Sequence, residues 1–191
     1  MQTWEKADIE QILLGAEDID AITTRLAAKI TEDLADNEGA APKRPVLAVA
    51  VLRGSVVFFS DLIRKLPFGI ELDFVKVSSY FAGTQSTGEL RFDLDLRHED
   101  CRDADILLVE DIVDSGRTLK ILVQHLLDRG AHSVKTVALL DKPSRRAVDF
   151  EADYVGQVIP DVFVVGYGLD YAEKYRNLSY IGVLKPEVYA K

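Results

Sequence analysis

The stretch Ile106–Leu119, ILLVEDIVDSGRTL, decides how the rest of the chain is read. It opens on an apolar run of the kind that forms a strand covered on both faces of a parallel sheet. Two adjacent acids follow, Glu110 and Asp111, then two apolar residues, then Asp114-Ser115-Gly116-Arg117-Thr118. Beyond these, Leu119, Leu122, Val123 and Leu126 make the apolar stripe of a helix beginning near Ser115, and Gly130 ends it. Ligands of open α/β sheets bind at the carboxyl ends of strands, and this turn lies at one. Small residues there let backbone N–H groups converge on a phosphate at the helix N-terminus, with Ser115 and Thr118 adding hydroxyl donors. Carboxylates beside a bare phosphate would repel it. Glu110, Asp111 and Asp114 therefore point to ribose hydroxyls, a metal ion or a proton in transit. The spacing is not that of a Walker A loop.

Working outward, Val46–Leu52 (VLAVAVL) and Val134–Leu140 are further apolar runs of strand length, and Asp105–Val109 is the strand that delivers the acids. Ile19, Ile22, Leu26, Ile30 and Leu34 recur at helical spacing over Glu17–Leu34, and Val56–Leu66 reads as a second helix. Glu71–Tyr80 and Glu89–Leu96 read as strands around Phe81–Gly88 (FAGTQSTG), whose Gly, Thr and Ser predict an exposed, mobile loop. Strands alternating with helices predict an α/β fold with a mainly parallel central sheet flanked by helices. The short β-like pieces Tyr154–Ile159, Phe163–Val165 and Tyr180–Leu184 are expected to form, with the N-terminal segment, a small hood over that sheet. The expected organisation is one domain over 1–191, with a core of about 40–150 and a hood from about 1–16 and 151–191.

The chain has 191 residues, 48% of them hydrophobic, enough for a sizeable core. Its net charge of −9 disfavours broad binding to nucleic acid or anionic membranes. A single cysteine, Cys101, excludes an internal disulfide and a thiolate metal site and reads as an ordinary reduced thiol. No apolar run reaches membrane-spanning length and no leader pattern opens the chain, so a cytoplasmic location is expected. His98, His125 and His132 lie outside every motif and read as surface residues without a zinc-site spacing.

The order strand, two acids, two apolar residues, Asp-Ser-Gly-Arg-Thr resembles the 5-phosphoribosyl-1-pyrophosphate (PRPP) signature of the type I phosphoribosyltransferases. Leu52-Arg53-Gly54-Ser55 resembles the pyrophosphate loop of the 6-oxopurine branch, which often carries a cis peptide between its first two residues. Ser79-Tyr80 with FAGTQSTG resembles that branch's mobile catalytic loop. Lys142, then Phe163-Val164-Val165-Gly166-Tyr167-Gly168-Leu169-Asp170, then Arg176, resemble its base site. The resemblance covers Val46–Leu184 and implies a transferase that joins hypoxanthine or guanine to PRPP with Mg²⁺. It implies that Glu110, Asp111, Asp114, Ser115, Gly116, Arg117 and Thr118 hold the ribose phosphate, and that Leu52, Arg53, Gly54 and Arg176 meet pyrophosphate. Lys142 would donate to purine O6, Phe163 would stack on the base and the Val164 main chain would read its edge. Glu110, Asp111 and Asp170 would serve Mg²⁺, and a homodimer or homotetramer is implied. Asp114 is assigned as the acid/base that exchanges a proton with purine N7, with helix N-capping as its other role.

Two alternatives remain at this level. The base could be xanthine, uracil, orotate or adenine. A PRPP-sensing regulator that binds nucleic acid would call for a basic face or an added domain, and neither is visible. An inactive binding module fits poorly with the intact acid pair, Asp114 and Arg176.

Overall fold

Alternation along each buried strand distributes the core between two layers. In the computed structural model, residues 7–35, 41–82, 85–96 and 101–190 are described, with side chains for all of these but 79–82 and 85–89. Strand β1 is Ile9–Leu14 and helix α1 is Ala16–Leu34. Strand β2 (Val46–Val51) leads to α2 (Val56–Ile63), then β3 (Glu71–Ala82) and β4 (Gln85–Leu94). Next come β5 (Asp105–Val113), α3 (Arg117–Asp128), β6 (Ser133–Asp141) and a 3₁₀ turn at Pro143–Arg145. β7 (Tyr154–Val158), β8 (Val164–Val165), β9 (Ile181–Leu184) and the short α4 (Pro186–Tyr189) complete the chain.

The larger sheet has the order β4-β3-β2-β5-β6-β7. All its pairings are parallel except β3 with β4. Every residue of β2 is buried. Val46, Ala48 and Ala50 face α1 and α2 together with Ile22, Leu26, Ile30, Phe58 and Leu62. Leu47, Val49 and Val51 face α3 with Leu119, Leu122 and Leu126. A strand whose two faces both lie against helices has no solvent side, which is why the apolar run is unbroken instead of alternating.

The smaller sheet has the order β1-β9-β8, all antiparallel. Its own cluster gathers Val165, Tyr175, Leu178, Tyr180 and Leu184. The β1–β9 pairing brings the two ends of the chain together as the hood. No described helix is long and apolar enough to cross a membrane.

Several expectations are corrected. Tyr154–Val158 is not part of the hood; it pairs parallel with β6 and forms the edge of the main sheet. Its alternation of buried and exposed residues suits an edge position as well as a cap. β5 does not stop at Val109 but continues through both acids to Val113, paired with β6 as far as Asp141. The β3–β4 hairpin also reaches into the segment read as a loop, pairing Phe81 with Ser86 and Ala82 with Gln85; residues 83–84 lie outside the described ones. His125 is half-buried, its ring tilted by 34° against Phe92 at 4.4 Å with Nε2 3.1 Å from Asp95 Oδ1, while His98 lies outside the described residues.

Candidate active site

Glu110 and Asp111 lie in the last turn of pairing of β5, at the carboxyl edge of the sheet. Asp111 is buried and Glu110 half-buried. Each carboxylate accepts a backbone N–H, Glu110 Oε1 from Asp111 at 3.2 Å and Asp111 Oδ1 from Ile112 at 2.8 Å. Burial pushes the Glu110 carboxyl well above the ordinary range, and the adjacent Asp111 charge adds to this. Burial also pushes Asp111 up, opposed by hydrogen bonds from Glu110 and from the Ile112 N–H and by the Arg176 charge. Among the described residues no ion pair joins either acid to a cation. Such a pair, held half out of water, is suited to accept hydroxyl protons or a hard cation.

Gly116 caps α3 with φ of 78°, a left-handed residue that the turn requires. The capping residue is therefore Gly116, and Asp114, exposed two residues earlier, is not the cap. Ser115 Oγ accepts the Arg117 N–H at 3.4 Å. Glu110, Val113, Asp114, Ser115, Gly116 and Thr118 line a depression of about 100 Å³ at the start of the helix. Two neighbours anchor the turn. Arg146 donates through Nη1 to the Asp114 carbonyl at 2.6 Å and pairs through Nη2 with Asp141, both side chains being largely buried. Arg145 Nε donates to Asp114 Oδ1 at 3.1 Å, and its Nη1 lies 3.7 Å from Asp161.

Lys142 follows β6 directly. Its N–H bonds the Val113 carbonyl at 2.9 Å, which ties it to the acid strand. Its ammonium donates to the Val162 carbonyl at 2.7 Å, and burial lowers its pKa against the opposing charges of Asp114 and Asp161. Phe163 is 36% exposed. One ring contact is a stack on Tyr189 at 4.8 Å and 23°, another an edge contact with Tyr171 at 5.6 Å and 90°. Val164 is held in β8 against Val183.

The Leu52–Arg53 peptide is cis, as the resemblance implies for this loop. A Cβ on Gly54 would run into the Asp111 carboxylate, so the loop touches the acid pair and only glycine permits that approach. Arg53 Nη2 lies 2.6 Å from Glu173 Oε1. Arg176 Nη2 lies 2.8 Å from Asp170 Oδ1, and its Nη1 donates to the Gly168 carbonyl at 2.8 Å. Arg53, Gly54, Asp111, Asp170 and Arg176 are thus one neighbourhood. Ser79 and Tyr80 belong to β3 by backbone; their side chains lie outside the described residues.

The donor set bears on a divalent cation. Among the described residues no three His, Cys, Asp or Glu side chains form a metal cage. Mg²⁺ is commonly held by one or two carboxylates plus substrate oxygens and water, and the acid pair beside the Gly54 loop fits that pattern.

The family profile described as "Phosphoribosyl transferase domain" matches residues 15–172. A hypoxanthine-guanine phosphoribosyltransferase of Staphylococcus epidermidis is 48% identical over 184 residues, covering 96% of this chain and 98% of that protein. The chain belongs to the phosphoribosyltransferase family. The crystal structure of a hypoxanthine phosphoribosyltransferase from Staphylococcus aureus superimposes with a TM-score of 0.91 at 46% identity, covering all of both chains. A Trypanosoma cruzi hypoxanthine phosphoribosyltransferase gives 0.88 at 42% identity, over 96% of this chain and 95% of that one.

Within the phosphoribosyltransferase frame, four residues at the site carried no sequence signal: Arg145, Arg146, Glu173 and Tyr189. Arg145 and Arg146 follow Lys142 in a polar stretch, where cations ordinarily face solvent. Glu173 and Tyr189 reach the site only because the hood folds back onto the sheet.

Proposed function

We propose that the chain transfers the 5-phosphoribosyl group of PRPP to N9 of hypoxanthine or guanine, forming IMP or GMP and pyrophosphate in purine salvage. The observation that carries this reading is the meeting, at one sheet edge, of the acid pair, the α3 N-terminal turn and Lys142. Three binding chemistries that PRPP and an oxopurine need are there adjacent.

In this reading the backbone of Asp114–Thr118, with the Ser115 and Thr118 hydroxyls, receives the 5-phosphate. Glu110 and Asp111 accept hydrogen bonds from the ribose hydroxyls. Mg²⁺, held by Glu110 and Asp111 with a second ion at Asp170, would neutralise charge on the pyrophosphate. Leu52, Arg53 and Gly54 with Arg176 meet the departing pyrophosphate. The C1–oxygen bond breaks with its electron pair leaving on pyrophosphate, and the sugar becomes oxocarbenium-like. Purine N9 bonds to C1 from the opposite face while Asp114 takes the proton that the purine sheds at N7. Closure of the Ser79–Tyr80 segment would exclude water from that cation.

Lys142 sets the base class. Its ammonium donates to O6 in place of the Val162 carbonyl, which favours an oxopurine over adenine, whose 6-amino group is itself a donor. Phe163 offers its ring to the base and the Val164 main chain reads the edge. A single domain over 1–191, a cytoplasmic setting and a homodimer or homotetramer belong to the same proposal. A spectroscopic assay with PRPP and Mg²⁺ against hypoxanthine, guanine, xanthine and adenine tests it. Turnover of the first two is expected; turnover of adenine, or of none, would overturn it.

A further inference from the structure

Both arginines assigned to pyrophosphate are already reached by one carboxylate, which is the close partner of Arg53 and, beside Asp170 at 2.8 Å, a second and longer partner of Arg176. Glu173 Oε1 lies 2.6 Å from Arg53 Nη2, and Glu173 Oε2 lies 3.4 Å from Arg176 Nη2. Arg53 and Glu173 are 120 positions apart, so the pairing is a product of the fold, not of local sequence. One acid side chain thereby bridges two cations with its two oxygens, much as a pyrophosphate oxygen pair would.

The backbone holds Glu173 there deliberately. Ala172, Glu173 and Tyr175 have φ of 50°, 64° and 76°, left-handed values that non-glycine residues rarely take. Such residues persist where the surroundings over-determine them, and they concentrate at ligand clamps. Here the surroundings are visible. Tyr171 and Lys174 exchange backbone hydrogen bonds at 3.3 and 3.1 Å, and the Glu173 N–H donates to Asp170 Oδ2 at 2.9 Å. The turn presents Glu173 outward toward Arg53. The contact is weak, since both side chains are more than half exposed, at 56% and 62%.

We propose that Glu173 is a positioning residue that stands in for pyrophosphate: a displaceable internal anion that keeps Arg53 and Arg176 side by side in the empty site and returns as pyrophosphate leaves. The inference rests on the assignment of those arginines to pyrophosphate. Its sign is distinctive. An anion that competes with the ligand lowers the ligand's affinity and speeds its departure, so removing the charge tightens binding. Damage to the fold does the opposite.

Calorimetric titration of magnesium pyrophosphate into the full chain tests this, using wild type, Glu173→Gln, Glu173→Asp, Arg53→Gln and Arg176→Gln. Glu173→Gln is expected to bind about three- to tenfold more tightly than wild type, with correspondingly stronger product inhibition. Glu173→Asp keeps the charge on a shorter arm and tolerates the left-handed backbone; it is expected to fall between the two, and it serves if the Gln variant does not fold. Equal or weaker binding in Glu173→Gln, with binding still lost in Arg176→Gln, would overturn the stand-in role and leave the pyrophosphate assignment intact. Absence of binding in wild type, or binding indifferent to both arginine variants, would remove the assignment beneath it and the inference with it.

Discussion

The end of β5 and the hood segment Phe163–Arg176 face the same space, yet they treat charge in opposite ways. Glu110 and Asp111 are buried or half-buried with no cation paired to them among the described residues, so burial raises both pKa values and the Asp111 charge raises that of Glu110 further. In the hood segment the site's charges have partners: Glu173 with Arg53 of the loop after β2 and with Arg176, and Arg176 with Asp170. One side is destabilised until a ligand arrives, and the other is satisfied until a ligand competes. The difference suits a site that captures a sugar with its metal on one side and releases pyrophosphate on the other.

The comparison can be broken first at Asp114, in the turn that follows β5. Asp114→Asn is expected to lower kcat by about 10²–10⁴-fold while PRPP binding by calorimetry persists. Unchanged turnover would take the proton-transfer role away from it. Next comes Lys142, the proposed O6 donor. Lys142→Ala should raise KM for the base by about 10- to 100-fold and KM for PRPP far less, because the proposed charged hydrogen bond is to the base alone. An equal rise in both constants would place Lys142 in structure rather than specificity.

The acid pair gives a third, pH-dependent comparison. A carboxyl raised in the folded state is a cost that is absent below its unfolded value, near 4.5, grows as pH rises from there toward the folded value, and is constant above it. In metal-free buffer Glu110→Gln should therefore melt higher than wild type at pH 7–8, by about 2–4 °C for each kcal/mol relieved, and the gain should shrink toward pH 4.5. The same variant should bind PRPP with Mg²⁺ more weakly. A lower melting temperature at neutral pH would show that the pair is already compensated and dissolve the contrast. The smallest effect is expected at Arg145. Its contact with Asp114 is about half exposed on both sides, so Arg145→Ala should change KM for the base by less than about fivefold.

Much of this was legible in the residues. Unbroken apolar runs such as VLAVAV and ILLV exist because helices cover both faces, so they announced a parallel sheet before any coordinate. The turn Asp114–Thr118 was legible as a strand-to-helix junction because its residues are contiguous: acids, small residues and a helix start occur in one stretch. The edge strand Tyr154–Val158 was misplaced because a short alternating segment fits a hood as well as a sheet edge, and only pairing with β6 separates the two. The strand Ile9–Leu14 gave little signal, since its place is fixed by Ile181–Leu184 at the far end of the chain.

By itself, then, the sequence determined the alternation of strands and helices from Val46 to Leu140 and the groups carried by the turn Asp114–Thr118, because both depend on residues close along the chain. Tertiary structure decided which charges meet. Arg145 on Asp114, Arg146 beneath the turn, Tyr189 on Phe163 and Glu173 across Arg53 and Arg176 are contacts between elements. An ionised side chain carries no record of its partner in its own neighbourhood, and the partner is chosen only when the hood closes over the sheet.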